Sequence, residues 1–178
     1  WESGCRAFCV ESRPYEDFCG PKWWADMKII LEEAKKRDMK VWVLDDKHFP
    51  TGFANGLVRK KYPERRRWFL REHHVDVLGP MKGASLLVPP CGEEETLLSV
   101  CAYRRTGKEE ELTGEPILFT IPTGSRFLCF DVPEGCWRVF FIFRTRKGCT
   151  RGREYYIDML SRESVQVLME AVYEAHYE

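Results

Sequence analysis

The chain of 178 residues has no excess of charge of either sign, because 28 lysines and arginines balance 28 aspartates and glutamates. A neutral chain presents no overall field that would attract nucleic acid or an anionic membrane surface. The sequence also lacks an apolar run approaching the roughly 20 residues that a membrane-spanning helix requires. We therefore expect no nucleic-acid partner and no membrane partner.

Paired metal-ligand motifs are missing as well. The eight cysteines are dispersed, with no C-x-x-C pair and no histidine at the spacing of a zinc site. We interpret them as buried free thiols, which favours a reducing, cytoplasmic compartment over secretion. The carboxylates near the end of the chain fit a charged outer helix face. No metal and no cofactor is expected.

The first third of the chain has the pattern of a βαβ unit. Residues 5–10 form a short, mostly apolar run that ends in a polar loop, and residues 40–44 form a second run that stops at two aspartates. Between them, Pro21 opens an amphipathic helix whose apolar stripe is predicted to bury Ile30 and Leu31 against a sheet. Strand, helix and strand at this spacing predict parallel strands.

Beyond residue 80 the pattern changes to short β-type runs separated by turn residues. These runs span residues 85–88, 97–103, 117–121, 126–132 and 137–145. A hairpin turn is predicted at 133–136, and the acidic runs 93–95 and 109–111 are predicted to be solvated turns. The pattern indicates a small antiparallel unit inserted at residues 81–152.

The chain then returns to an α/β pattern. Residues 155–160 resemble a third strand, and Ser161 is placed to cap the last helix. A short helix is also predicted over residues 62–74. The expected organisation is therefore a first group of βα units at 1–80, the insertion at 81–152, and a strand and helix at 153–178.

Four segments resemble a known family. They are residues 15–24, the block 39–56 (MKVWVLDDKHFPTGFANG), residues 133–139 (PEGCWRV), and the run from 156 to His176-Tyr177-Glu178. The chain is similar here to the large bacterial barrel hydrolases related to the α-L-rhamnosidases and to their gut-bacterial relatives. One departure is that the family often has Gly-Gly where this chain has Asn55-Gly56. Asparagine tolerates left-handed backbone, so we expect the turn to survive.

The resemblance implies an α/β fold: a partial (β/α) TIM-type barrel made of its first βα units, with an inserted small antiparallel β-rich subdomain. A complete barrel needs roughly 250 residues, so we expect a fragment of one. The implied function is glycoside hydrolysis of a carbohydrate substrate. This chain would supply scaffold and part of the substrate-binding rim. The catalytic carboxylates would lie beyond Glu178, so this chain by itself is expected to be inactive.

The candidate substrate-binding residues follow the first two strands. They are Glu11, Asp45, Asp46 and His48. Adjacent strand residues point to opposite faces, so at most one of the two aspartates can aim at a ligand, and both can instead cap the following turn. Glu11 can contact substrate or pair with Arg13, and His48 can donate to a sugar or face solvent. The alternative function is a non-catalytic carbohydrate-binding or interaction module in which the β-rich insertion binds.

Overall fold

The computed structural model describes residues 1–106 and 111–177, which divide into two compact units. Unit 1 comprises residues 1–67 together with 149–178, and unit 2 comprises residues 68–148. The sequence placed the insertion at 81–152, whereas unit 2 begins earlier because its first strand starts at Phe69. Glu109 and Glu110 of the second acidic run, and Glu178 at the end of the last motif, lie outside the described residues.

Unit 1 begins with the βαβ arrangement that the sequence predicts. Strand β1 (Ala7–Val10) pairs in parallel with β2 (Lys40–Val43), and helix α1 (Pro21–Lys36) connects them. The remaining elements of the unit are short. They are a 3-10 turn (Ala54–Gly56), α2 (Leu57–Lys60), a second 3-10 turn (Pro63–Arg65), α3 (Arg162–Leu168), a π-helical segment (Met169–Glu174) and α4 (Ala175–Tyr177).

Helix α1 buries a narrower stripe than its sequence predicts. Trp23 and Met27 are buried in a core shared with the α2 and α3 regions, and Ala34 is buried further along the helix. Ile30 is half-buried, but Leu31 is 50% exposed. The predicted burial of Leu31 is wrong because the core contacts the face centred on Trp23, whereas Leu31 borders an open groove.

The predicted partial barrel is also wrong. The structure is mostly antiparallel, with 40% of its residues in strands and 24% in helices, and among the strands of residues 1–106 and 111–177 only β1 and β2 pair in parallel. The predicted third strand forms a single antiparallel bridge between Ile157 and Arg66. The Ile157 N–H donates to the Gly52 carbonyl at 2.8 Å, and the Asp158 N–H donates to the Arg65 carbonyl at 2.9 Å. Loop carbonyls thus take the hydrogen bonds that a third parallel strand would need.

Unit 2 is a four-stranded antiparallel sheet in the order β3-β6-β4-β5. Its strands are β3 (Phe69–Leu87), β4 (Glu95–Thr106), β5 (Glu111–Phe119) and β6 (Phe127–Thr145). Strands β3 and β6 each span 19 residues and pair along nearly their whole lengths. The helix predicted over residues 62–74 is therefore wrong, because the segment contains only the 3-10 turn Pro63–Arg65 before it enters β3 at Phe69.

The hairpin turn predicted at residues 133–136 is absent, since this segment continues within β6. Register shifts on either side of Met81 bend the facing strand β3 at the same level. A Cβ on Gly79 would lie 1.9 Å from the Pro133 carbonyl oxygen, so only glycine allows the two backbones to approach this closely. The bend brings both halves of the long strands onto one core, where Phe119 and Phe130 pack 4.8 Å apart.

The eight cysteines are free, as the sequence predicts. Their predicted burial is wrong, because Cys5, Cys9, Cys91 and Cys129 are exposed and the other four are half-buried. Over residues 1–106 and 111–177, no helix combines the length and the apolar character needed to cross a membrane.

Candidate functional site at the carboxyl edge of β1 and β2

The Asp46 carboxylate organises the loop that follows β2. Its side chain is 1% exposed and accepts four backbone N–H groups. The donors to one oxygen are Gly52 at 3.1 Å and Ala54 at 2.8 Å, and the donors to the other are Lys47 at 2.7 Å and Asn55 at 3.1 Å. A carboxylate offers about four acceptor positions, so this one has none left for a ligand.

A buried serine joins this loop to the loop after β1. Ser12 is fully buried, and its hydroxyl lies 2.9 Å from the Asp46 carbonyl oxygen and 3.1 Å from that of Lys47. Its single hydrogen is shared between the two acceptors. The Lys47 ammonium donates back to the Glu16 carbonyl at 2.7 Å. The two loops therefore form one fixed edge at the carboxyl ends of the parallel strands.

The turn closed by Asp46 contains three consecutive residues with left-handed backbone. The φ angles are +50° at Ala54, +50° at Asn55 and +80° at Gly56. Asparagine and glycine adopt this conformation readily, and the Asn55 amide also donates to the Phe18 carbonyl at 3.0 Å. The expectation that Asn55 preserves the turn is confirmed. Ala54 carries a cost of about 1–2 kcal/mol, which the Asp46 hydrogen bonds offset.

Asp45 differs from its neighbour, because its carboxylate is half-buried and only partly engaged. One oxygen accepts the Thr51 hydroxyl at 2.6 Å, and the other accepts the Tyr173 phenol of the π-helical segment. Burial and the hydrogen bond to Asp45 raise the pKa of Tyr173 to about 12, so its proton stays on the phenol. About two acceptor positions of Asp45 remain open at the edge.

Glu11 follows β1, and His48 lies in the loop after β2. Glu11 forms an ion pair with Arg13, and the Arg13 guanidinium lies 6.0 Å from the Phe49 ring centroid. His48 is exposed and contacts Phe53 edge to face at 4.7 Å. The Phe49 ring is 59% exposed. The edge therefore combines one available carboxylate with exposed aromatic surface.

The four predicted residues thus have different roles. Asp46 holds the loop together from inside, Glu11 is paired with Arg13, and Asp45 and His48 reach the surface. Neither Tyr173 nor Thr51 is identified as a site residue by the sequence. Thr51 lies within the 39–56 block and carries no signal of its own, and Tyr173 lies in the predicted last helix, 128 residues from Asp45. Within 1–106 and 111–177, no group of three or more His, Cys, Asp or Glu side chains is arranged to hold a metal ion.

No protein-family model, curated protein or solved structure matches this chain.

Proposed function

We propose that the loops after β1 and β2 form part of the carbohydrate-binding surface of a glycoside hydrolase. The observation that carries the proposal is the Asp45 carboxylate, which Thr51 and Tyr173 hold in place while two of its acceptor positions stay open. Sugar hydroxyls are donors that suit such a carboxylate. Hydrogen bonds to a charged group contribute about 1.5–3 kcal/mol each, enough to orient a sugar.

Exposed rings in the loop that follows Asp45 support the same proposal. Phe49 presents most of its ring to solvent, and His48 packs edge to face against Phe53. Aromatic side chains offer large apolar faces against which the C–H face of a sugar packs. Binding sites in general combine apolar area with a few convergent polar groups, often on loops that a rigid scaffold positions.

The proposal assigns binding, and not bond cleavage, to these residues. Glycoside hydrolysis needs two carboxyl groups that flank the scissile bond. Asp46 is saturated by backbone donors, Glu11 is paired with Arg13, and Asp45 is anchored from two sides. We therefore expect no hydrolysis of aryl glycosides by this chain, with the catalytic pair of the hydrolase located elsewhere.

The test is to measure the affinity of the chain for a panel of neutral oligosaccharides, rhamnose-containing ones included, by calorimetry. Asp45→Asn should weaken binding about tenfold, which corresponds to about 1.4 kcal/mol. Asp131→Asn in unit 2 is the matched control, since it removes an exposed carboxylate that pairs with Lys82 and accepts the Gly83 N–H. Undiminished affinity in Asp45→Asn, or binding to no member of the panel, overturns the proposal.

A second candidate function is favoured by a row of rings on unit 2. His74, Phe140 and Tyr103 lie on one face across three strands, with centroids 5.8 Å and 6.3 Å apart. Beside them, Asp76 accepts two hydrogen bonds from Arg138 at 2.7 and 3.0 Å. This aromatic row with fixed polar groups supports a non-catalytic carbohydrate-binding or interaction module.

The two candidates differ in which substitution abolishes binding. Replacing Phe140 by Ala in the aromatic row should leave sugar affinity unchanged if the loop edge binds the sugar. Loss of affinity in Phe140→Ala, with retention in Asp45→Asn, would favour unit 2 instead.

We also propose a cytoplasmic location, supported by the eight free thiols, four of them exposed. Exposed cysteines persist as thiols where the compartment is reducing. Titration of the denatured protein, purified without reductant from its native host, should yield eight thiols. A lower count caused by disulfides would contradict the proposal.

A further inference from the structure

The last helical segment of unit 1 presents an exposed aromatic face. Met169, Tyr173 and Tyr177 follow one another at intervals of four residues through the π-helical segment and α4, and residues four apart on a helix are neighbours. Tyr177 is 94% exposed, and the Tyr173 ring is also exposed to solvent. Turns of π-helix are rare and occur frequently at functional sites. This face therefore offers ring surface to a ligand.

The same face borders a cavity of about 350 Å³, which is lined by Met169, Tyr173, Glu174 and Tyr177. This volume is near the lower end of the range of about 300–1000 Å³ that small-molecule sites span, so the cavity suits one ring-sized group. Two phenol rings and a thioether supply apolar walls, and Glu174 adds an exposed carboxylate. A sugar unit has the matching chemistry, because its C–H face packs on aromatic rings while its hydroxyls donate to carboxylate oxygens.

Tyr173 connects this cavity to the carboxylate that carries the proposed function. Its ring lines the cavity, and its phenol donates to the Asp45 carboxylate. The Thr51 hydroxyl donates to the other Asp45 oxygen at 2.6 Å, so the carboxylate is held from two sides. One side chain thus contacts both places, and the cavity and Asp45 lie no further apart than the length of a tyrosine.

We propose that this cavity binds the sugar unit next to the one held at Asp45, which makes the ligand an oligosaccharide of at least two units. The inference rests on the proposed function, because the cavity extends a site that Asp45 defines. The ring face of the second unit packs on Tyr177, and its hydroxyls donate to Glu174. Two linked units bind more tightly than one, since the second unit binds as part of a molecule that is already in place.

The test uses calorimetry on the whole chain with neutral disaccharides, each compared with the methyl glycosides of its two sugar units. The disaccharide that binds most tightly should have an affinity about tenfold or more above that of either methyl glycoside. Phenyl glycosides of the same sugars form a third arm. Equal affinity for the disaccharide and the tighter methyl glycoside overturns the inference. Tighter binding of a phenyl glycoside than of the disaccharide also overturns it, because the cavity would then select an apolar aglycone.

Substitutions in the cavity should affect only the second sugar unit. Tyr177→Ala should lower the affinity for the disaccharide about tenfold and leave that for the tighter methyl glycoside unchanged, because that unit binds at Asp45. Tyr177→Phe keeps the ring and should retain most of the affinity. Glu174→Gln should lower the disaccharide affinity about threefold, since a neutral amide is a weaker acceptor. Tyr62→Ala is the matched control, because Tyr62 is an exposed tyrosine of unit 1 that does not line the cavity.

The outcomes separate the two proposals. Binding of a methyl glycoside that depends on Asp45, without a gain in the disaccharide, overturns the inference and leaves the proposed function standing. Undiminished disaccharide affinity in Tyr177→Ala has the same meaning. Disaccharide affinity that survives Asp45→Asn, or binding of no sugar, overturns both.

Discussion

Replacing Asp46 by asparagine should strongly destabilise unit 1, although the two side chains have the same shape. The amide keeps one acceptor oxygen and places an NH₂ group where the other oxygen accepts two backbone N–H groups. Each hydrogen bond to a charged group contributes about 1.5–3 kcal/mol, so losing two corresponds to about 3–6 kcal/mol. The site is 1% exposed, so water cannot replace them. Against a typical total of about 5–15 kcal/mol, this is a large loss.

Asp45→Asn is the matched comparison. Its partners are the Thr51 and Tyr173 hydroxyls, which rotate and can accept from an amide as well as donate to it. We expect a cost below about 1 kcal/mol. Urea unfolding would measure both free energies, and hydrogen exchange of the 46–58 loop would localise the effect. An Asp46→Asn loss no larger than that of Asp45→Asn would refute the role assigned to Asp46.

Three further predictions concern charge, backbone approach and core packing. The Arg138 guanidinium lowers the pKa of the Asp76 carboxyl in the folded chain. The free energy of unfolding that Asp76→Asn removes should therefore be largest at pH 7 and should vanish as the pH falls through that lowered pKa. Gly79→Ala should lower the free energy of unfolding by about 1–3 kcal/mol, since the Cβ of the alanine would meet a backbone oxygen on the partner strand. Leu31→Ala should cost less than about 1 kcal/mol, whereas Trp23→Ala should cost about 3–5 kcal/mol.

Each of these has an outcome that contradicts it. For Asp76, the urea midpoints of wild type and variant should differ more at pH 7 than at pH 3. An equal difference at both pH values would mean that the ion pair between Asp76 and Arg138 does not stabilise the folded chain. For Gly79, the control is Gly83→Ala, where the added methyl meets open space and only the positive φ is penalised. A loss of stability in Gly79→Ala no larger than in Gly83→Ala would contradict the close backbone approach at Gly79. For α1, equal losses at Leu31 and Trp23 would mean that the helix packs on a different face.

Local patterns predicted the parallel pair correctly because β1 and β2 are short apolar runs on either side of an amphipathic helix that begins at Pro21. The same reasoning failed for residues 155–157, whose pattern is equally strand-like. What decides their structure is which carbonyls are nearby, and here Gly52 and Arg65 supply them. Contacts between segments so distant in sequence leave no periodic signal.

The hairpin turn predicted at residues 133–136, within β6, was wrong for a related reason. Pro133 and Gly135 have the composition of a turn, and only the pairing of Gly135 with Gly79 on β3 shows that the segment continues a strand. At the candidate site, strand geometry predicted that at most one of Asp45 and Asp46 can aim at a ligand. Which one does so depends on how the chain folds back at residues 52–55, several residues beyond the strand that carries the pattern.

The pairing of β3 with β6 brings the two ends of unit 2 side by side. Phe69 at the start of β3 is the register partner of Thr145 at the end of β6, and paired strands are only about 5 Å apart. A module with adjoining termini can be cut out and replaced by a linker of a few residues, or transferred into a surface loop of another protein, without stretching either chain. Residues 68–148 therefore form a transplantable cassette, whose gain or loss by recombination would leave the host backbone continuous.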